Sequence, residues 1–397
     1  MKPSAFDADV LILGAGPAGA TAAALLAGAG HRVRVLEKAR FPRFHIGESL
    51  LPAGMLTLQR VGVDLAAEGF LRKDGAIFVN GDDAVTFHFG EGLRGAGEHA
   101  YQVDRGRFDA LIVTRAREAG AEVLEEVKAT GVDISPDGVA VQTREMLHTG
   151  RFVLDATGQD RLLGRLSGTL TSYESFGKAA AFCVLEGLKP ERAAELESSG
   201  HIVIFATEEG WAWAIPLGDR RLSVGVVTRG PKIDKQELER VLAELPRLAA
   251  YAEGTTRSEV RFARNFSYRN TAPYGARYAC IGDAACFLDP IFSSGVSLAL
   301  EGAACAADLL GPALDTGDED RVDLMAPMGA HMDQAYEVFA RLIHRFYHSR
   351  ITENLFLSAT EGTPMRSGMV SLLAGDVWRD DNRVQEMLLR SRRHVVG

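Results

Sequence analysis

The sequence predicts an α/β chain: a parallel-sheet domain assembled from separated segments, a second domain built on an antiparallel sheet, and a helical C-terminal part. Three observations predict it. The N-terminus runs strand, helix, strand; a meander near residues 201–227 breaks that alternation; and beyond Thr316 the apolar residues fall at helical spacing.

In chain order, Val10-Leu-Ile-Leu13 is the wholly apolar run of a buried parallel strand. Pro17 to Ala29 reads as a helix of small residues that can lie very close to a sheet, and Arg32 to Leu36 as the second strand. Phe78-Val79 and Val85 to Phe89 flank Gly81-Asp82-Asp83 as a hairpin. Phe108 to Glu118 is helical, with short strands near Val123–Val127 and Val139–Thr143. The meander comprises His201–Ala206, Trp211–Leu217, a turn at Gly218-Asp219, and Leu222–Val227. Tyr278–Ile281 returns to a buried strand and Gly295–Leu310 to a helix rich in Ala and Leu. Val338, Phe339, Leu342, Ile343, Phe346 and Tyr347 make one apolar stripe.

Composition narrows the function classes. The chain has 397 residues, enough for two or three domains, and 46% hydrophobic with 24% charged residues excludes disorder and fibre. A net charge of −9 argues against nucleic acid as the main partner. Cys183, Cys280, Cys286 and Cys305 form no Cys-x-x-Cys pair, so a zinc ribbon or secreted disulfide framework is not expected and the cytoplasm is the expected compartment. The uncharged run from Val10 to Gly30 could imitate a membrane span, but Gly14, Gly16 and Gly19 interrupt it, and Asp7 and Asp9 spoil a signal peptide. No membrane span is expected. His344 and His348 have a spacing that can bind metal, but with no third ligand near them they read as surface histidines, and no metal is expected.

Gly14-Ala-Gly16-Pro-Ala-Gly19, between the apolar strand and the small-residue helix, matches the dinucleotide fingerprint, and Glu37 ends the second strand. The glycines allow backbone approach, the helix N-terminus receives a pyrophosphate and Glu37 can bind ribose hydroxyls. Arg105 ahead of Phe108-Asp109, then Asp155-Ala-Thr-Gly158, then Gly282-Asp283-Ala284, resemble in this order the flavin-contacting arginine, the strand end over the adenosine part and the ribityl-binding aspartate of the aromatic hydroxylase superfamily. That resemblance selects FAD and implies a discontinuous Rossmann-like FAD domain of the para-hydroxybenzoate hydroxylase type. Its expected segments are 1–75, 101–165 and 263–315, with the substrate domain in 76–100 (hairpin) and 166–262 (antiparallel sheet) and a helical region at 316–397.

Trp211-Ala-Trp213-Ala-Ile215-Pro216 holds two of the three tryptophans. Strand alternation puts both indoles on one face, which core packing alone would also favour. The sequence resembles the flavin-dependent halogenases, whose signature this is; in Phe287-Leu-Asp289-Pro290-Ile-Phe292-Ser293-Ser294-Gly295 it resembles their second signature. The resemblance implies that Trp211 and Trp213 line a tunnel beside the flavin, that Ser294 and Gly295 hold the halide, and that Lys73 is the catalytic lysine, with Arg72 the competitor one residue away. A lysine beside an arginine is otherwise a solvated face. The flavin contacts it implies are Gly14, Gly16, Ala18, Gly19, Glu37, Lys38, Ser49, Arg105, Val127, Gly158, Asp283, Pro290 and Gly295.

The implied reaction is chlorination or bromination of an electron-rich phenol or pyrrole by FADH2, O2 and halide, through a flavin hydroperoxide and hypohalous acid that Lys73 presents to the ring. A separate flavin reductase is the implied source of FADH2, and the substrate is free or tethered to a carrier protein. Phe292 stands where tryptophan halogenases carry a Glu, which argues against free tryptophan. Two rivals are an aromatic monooxygenase and a flavin-dependent reductase of the prenyl-reductase type.

Overall fold

The computed structural model describes residues 6–173, 176, 179–348 and 362–390. The stretches 349–361 and 391–397 of the expected helical region lie outside the described residues.

Strand β1 (Ala8–Leu13), helix α1 (Pro17–Gly28) and strand β2 (Val33–Leu36) form the expected N-terminal unit. Of the twelve residues of α1, ten are buried, because the helix lies between the sheet and a second layer of helices and so has no solvent face. This burial also accounts for the uncharged run from Val10 to Gly30, whose apolar residues pack in the main core.

The chain continues through β3 (Leu71–Lys73), β4 (Gly75–Asn80), β5 (Asp83–His88), β6 (Ala100–Gln102), α2 (Arg105–Glu118), β7 (Glu122–Leu124) and β8 (Leu147–Asp155). Helix α2 starts three residues earlier than the apolar pattern suggested, because Asp104 caps it by accepting from the Arg107 amide. Then follow β9 (Ala179–Glu186), β10 (Ile202–Thr207), β11 (Gly210–Gly218), β12 (Arg221–Thr228), β13 (Tyr278–Cys280), α3 (Ser294–Thr316), α4 (Ala326–His348), α5 (Pro364–Leu373) and α6 (Arg383–Arg390).

The first sheet places β13, β8, β1, β2 and β7 side by side in parallel, with Leu13 level with both Leu36 and Asp155. The second sheet runs β9–β12–β11–β10–β4–β5, antiparallel except where β10 pairs parallel with β4. β11 is buried on both faces. Trp211, Trp213 and Ile215 point into the main core, whereas Ala212 and Ala214 pack against the residues that cover the sheet's other side, Leu238, Val241 and Leu242. The stripe read from the sequence is the buried face of α4: Val338, Phe339, Leu342, Ile343, Phe346 and Tyr347 are all buried. Helix α3 is long and apolar enough to cross a membrane by length and composition, and is mostly buried within the protein.

Candidate active site

Between the two sheets lies a cavity of 470 Å³, within the ordinary range for a cofactor site. The first side of its wall is the turn after β1. Gly14 has φ +95°, and a Cβ there would stand 2.4 Å from the Ala156 carbonyl oxygen. A Cβ on Gly19 would stand 1.9 Å from the Gly14 oxygen. Both positions therefore require glycine, so that the turn, α1 and the end of β8 can close together. Gly16 and Ala18 line the cavity, while Gly19 lies behind it as a packing residue.

Glu37 leaves the end of β2 buried, its carboxylate accepting from the amides of Ala15 and Ala39, each at 2.8 Å. Lys38 lies on the wall and pairs with Asp160. Gly158, Asp283 and Pro290 line it as expected. Burial pushes the Asp283 carboxyl up to about 7. Val127 does not line the cavity. It bonds through its amide to the Glu37 carbonyl (2.8 Å) and turns its side chain toward a small core, leaving Lys128 and Ala129 at the wall.

The segment Ile46-Gly-Glu-Ser49 forms another side. Arg105 anchors it: the guanidinium forks onto Asp109 (2.7 and 3.0 Å) and donates to the carbonyls of Ile46 and Gly47. Among the described residues, two buried side-chain oxygens of this segment, Ser49 Oγ and Glu48 Oε2, have no hydrogen-bond partner. Burial also pushes the Glu48 carboxyl up to about 7. Unpaired polar atoms in a cavity whose opposite turn admits backbone approach fit a polar, polyhydroxylated dinucleotide. Glu48 carries no local sequence signal of its burial.

The indoles of Trp211 and Trp213 share the wall, with ring centroids 5.6 Å apart. Both N–H groups are engaged elsewhere: Trp213 donates to Ser223 Oγ (3.2 Å), and Trp211 to Tyr347 Oη (2.9 Å). Tyr347 in turn donates to Asp289 Oδ2 (2.8 Å), tying α4, β11 and the loop before α3 together. In that loop the two serines face different spaces. Ser293, with φ +56°, turns the chain so that Ser293 and Gly295 line the cavity, while Ser294 is buried behind them beside Asp289 in a separate small recess. Phe292 packs against Phe78 and Phe346, at centroid distances of 6.5 and 6.3 Å.

Lys73 does not line the cavity and is bonded to Leu50, the residue that follows its 46–49 wall. It is 1% exposed, its Nζ donates to the Leu50 carbonyl (2.8 Å), and it sits 5.3 Å from the Phe89 ring centre. Burial brings its ammonium down to about 7. Arg72, one residue away, has a side chain 59% exposed and pairs with Asp74 (2.6 Å), so the buried amine and the solvated cation are clearly distinguished. Burial, and next the neighbouring His88, hold the His201 imidazole down at about 4; the two rings meet at a tilt of 57° with centroids 5.0 Å apart. No motif marks that histidine, which comes from the start of the meander.

The sequence profile described as tryptophan halogenase matches residues 9–97 and 93–374. The chain is 29% identical over 408 residues to a 1H-pyrrole-2-carbonyl-[peptidyl-carrier protein] chlorinase of Pseudomonas fluorescens, covering 94% of this chain and 90% of that protein. It is 30% identical to a tryptophan 2-halogenase of Chondromyces crocatus over 75% of this chain, but over only 60% of that longer protein. Among solved structures, a flavoprotein/dehydrogenase from Cytophaga hutchinsonii superposes with TM-score 0.87 at 27% identity, over 96% of each chain. A glycine-turn cavity, paired indoles at its wall and a profile match spanning most of the sequence converge on one conclusion: the chain belongs to the tryptophan halogenase family and is a flavin-dependent halogenase, an FAD-dependent oxidoreductase that acts on an aromatic or pyrrole ring.

Proposed function

We propose that this halogenase chlorinates or brominates a phenol or pyrrole ring, and that the ring is presented as an acyl group on a carrier protein. The similarity to the carrier-protein chlorinase over 90% of its length supports the tethered form, and Phe292, held between Phe78 and Phe346, supports a site that needs no carboxylate there. FADH2, delivered by a separate flavin reductase, supplies hypohalous acid when it meets O2 and halide in the cavity.

The residues of the chain then divide the work. Glu37, Lys38, Ser49, Arg105 and Asp283 hold the cofactor, and the Gly14–Gly19 turn lets its phosphates approach the N-terminus of α1. The backbone around Ser293 and Gly295, at the N-terminus of α3, favours a halide ion. Trp211 and Trp213 narrow the way out and keep bulk water from the oxidant. Lys73 Nζ, part neutral near pH 7, can donate a hydrogen bond to the hypohalous acid or exchange its proton for halogen, and so fixes where the electrophile meets the ring.

The observation that carries this reading is Lys73 itself: a buried amine with no carboxylate partner among the described residues, bonded to the residue that follows the cavity's 46–49 wall. The test is mass spectrometry of products from pyrrole-2-carbonyl carrier protein, the free acid and simple phenols, with a flavin reductase, FAD, O2 and chloride or bromide. Halogenated product from the carrier-bound ring in preference to the free acid is the expected result. Preference for a free phenol would overturn the tethered assignment, and a hydroxylated product would point to a monooxygenase.

A further inference from the structure

Away from the cavity, helices α3 and α4 bring three metal-ligating side chains together. Glu301 and Cys305 lie one turn apart on α3, and His331 faces them from α4. Their ligand atoms all lie within 4.8 Å of one another, with His331 Nε2 2.9 Å from Glu301 Oε1 and Cys305 Sγ 3.8 Å from the same oxygen. Among the described residues this is the one such trio. With zinc–ligand bonds of about 2.0–2.3 Å, the edges of a tetrahedral site measure roughly 3.3–3.7 Å, so small side-chain rotations would bring these atoms to coordinating positions.

Two further features favour a site over a casual ion pair. The His331 ring is held in place: Trp378 stacks on it with a 4° interplanar angle and a centroid distance of 4.7 Å, and donates its indole N–H to the His331 carbonyl (2.8 Å). Such outer support is what orients a ligating imidazole. Arg60 forks onto Asp308 (2.6 and 3.0 Å), which leaves the Glu301 carboxylate to its own cluster.

We propose that Glu301, Cys305 and His331 form a binding site for a zinc-class divalent ion, with water in the fourth position, which clips α4 onto α3. Thiolate, imidazole and carboxylate are a zinc-type donor set, and binding releases the Cys305 proton to solvent. Both helices reach the active site at their other ends, α3 through Gly295 and α4 through Tyr347, so the clip would stabilise the frame that holds Trp211.

The test is cobalt(II) titration of the full chain, read as difference spectra against the same sample before addition. The expected result is one bound ion per chain with a near-ultraviolet thiolate charge-transfer band, displaced by zinc(II). The other three cysteines are buried in the core, so the band should vanish in Cys305→Ser, and cobalt affinity should fall at least tenfold in His331→Gln. Zinc should raise the melting temperature of the unsubstituted protein and not that of Cys305→Ser. Absence of a thiolate band in the unsubstituted protein would overturn the proposal whether or not the variants fold. So would a band that survives in Cys305→Ser.

Discussion

The flavin cavity and the Lys73 site meet at one short segment, residues 46–50, and they are built in opposite ways. The cavity wall comes from turns that each carry their own local requirement: glycine at Gly14 and Gly19, an acid ending β2, an arginine starting α2. The Lys73 site has no such local logic. Its amine from β3 is surrounded by the Leu50 carbonyl, Phe89 beyond β5, and His201 from the entry to β10. A cofactor common to many enzymes can be held by a transferable motif; an amine that must stay dry needs several distant elements at once.

The largest expected effect tests the dry side. Lys73→Ala should abolish halogenation while FAD binding persists, because positioning of a reagent can supply roughly 7–11 kcal/mol of a barrier. Lys73→Arg should fail too, since a guanidinium stays charged. Retained product from either variant at a comparable rate would remove the amine from the mechanism. On the cavity side, Gly19→Ala should weaken FAD binding roughly tenfold or more, measured by flavin fluorescence, because the new methyl displaces the Gly14 turn.

Stability should separate the two sides further. A lysine whose folded value is about 7 and whose unfolded value is near 10.5 destabilises the fold as pH falls through that interval, with the penalty complete below about 7 and absent above 10.5. Lys73→Met should therefore melt higher than the unsubstituted protein at pH 7, by on the order of a few kcal/mol, and the difference should shrink at pH 10. A lower melting temperature at pH 7 would show that the amine is an anchor of the fold. If the neutral amine is the working form, the turnover of the unsubstituted enzyme should rise with pH through about 7.

Smaller effects probe the junction of the two regions. Tyr347→Phe leaves the buried Trp211 N–H without its hydroxyl acceptor and removes one of the hydrogen bonds to the Asp289 carboxylate. It should cost about 1–3 kcal/mol in urea unfolding and lower halogenation without affecting FAD affinity. An unchanged melting curve with full activity would mean that the indole is positioned by packing alone. The smallest effect is expected for Arg72→Ala, which removes only an exposed pair with Asp74 and should retain nearly full activity.

The same contrast explains what the sequence made legible. The βαβ start, the hairpin and the meander were readable because their patterns are local. Strand β9 was not, since Ala179–Glu186 is buried almost throughout and shows no alternation. Glu37 and Asp283 line the cavity, whereas Lys128 and Ala129 rather than Val127 line it, and Ser293 rather than Ser294, because single-residue register depends on backbone turns such as the left-handed Ser293. His201 and Tyr347 were missed for a different reason: each gains its role from partners far along the chain, and neither carries a motif.

Strand β11, buried on both faces, also bears on how such an enzyme can be redesigned. Its odd positions, Trp211, Trp213 and Ile215, look toward the cavity, and its even positions, Ala212 and Ala214, look toward the helical cover. A library that varies the odd positions samples the width of the oxidant's route while leaving the cover seated. The even positions act as a set of shims: enlarging an alanine would tilt the whole strand, and with it both indoles, without touching any group that meets the substrate. A single nine-residue strand thus offers two separate dials, one for what passes and one for the angle of the gate.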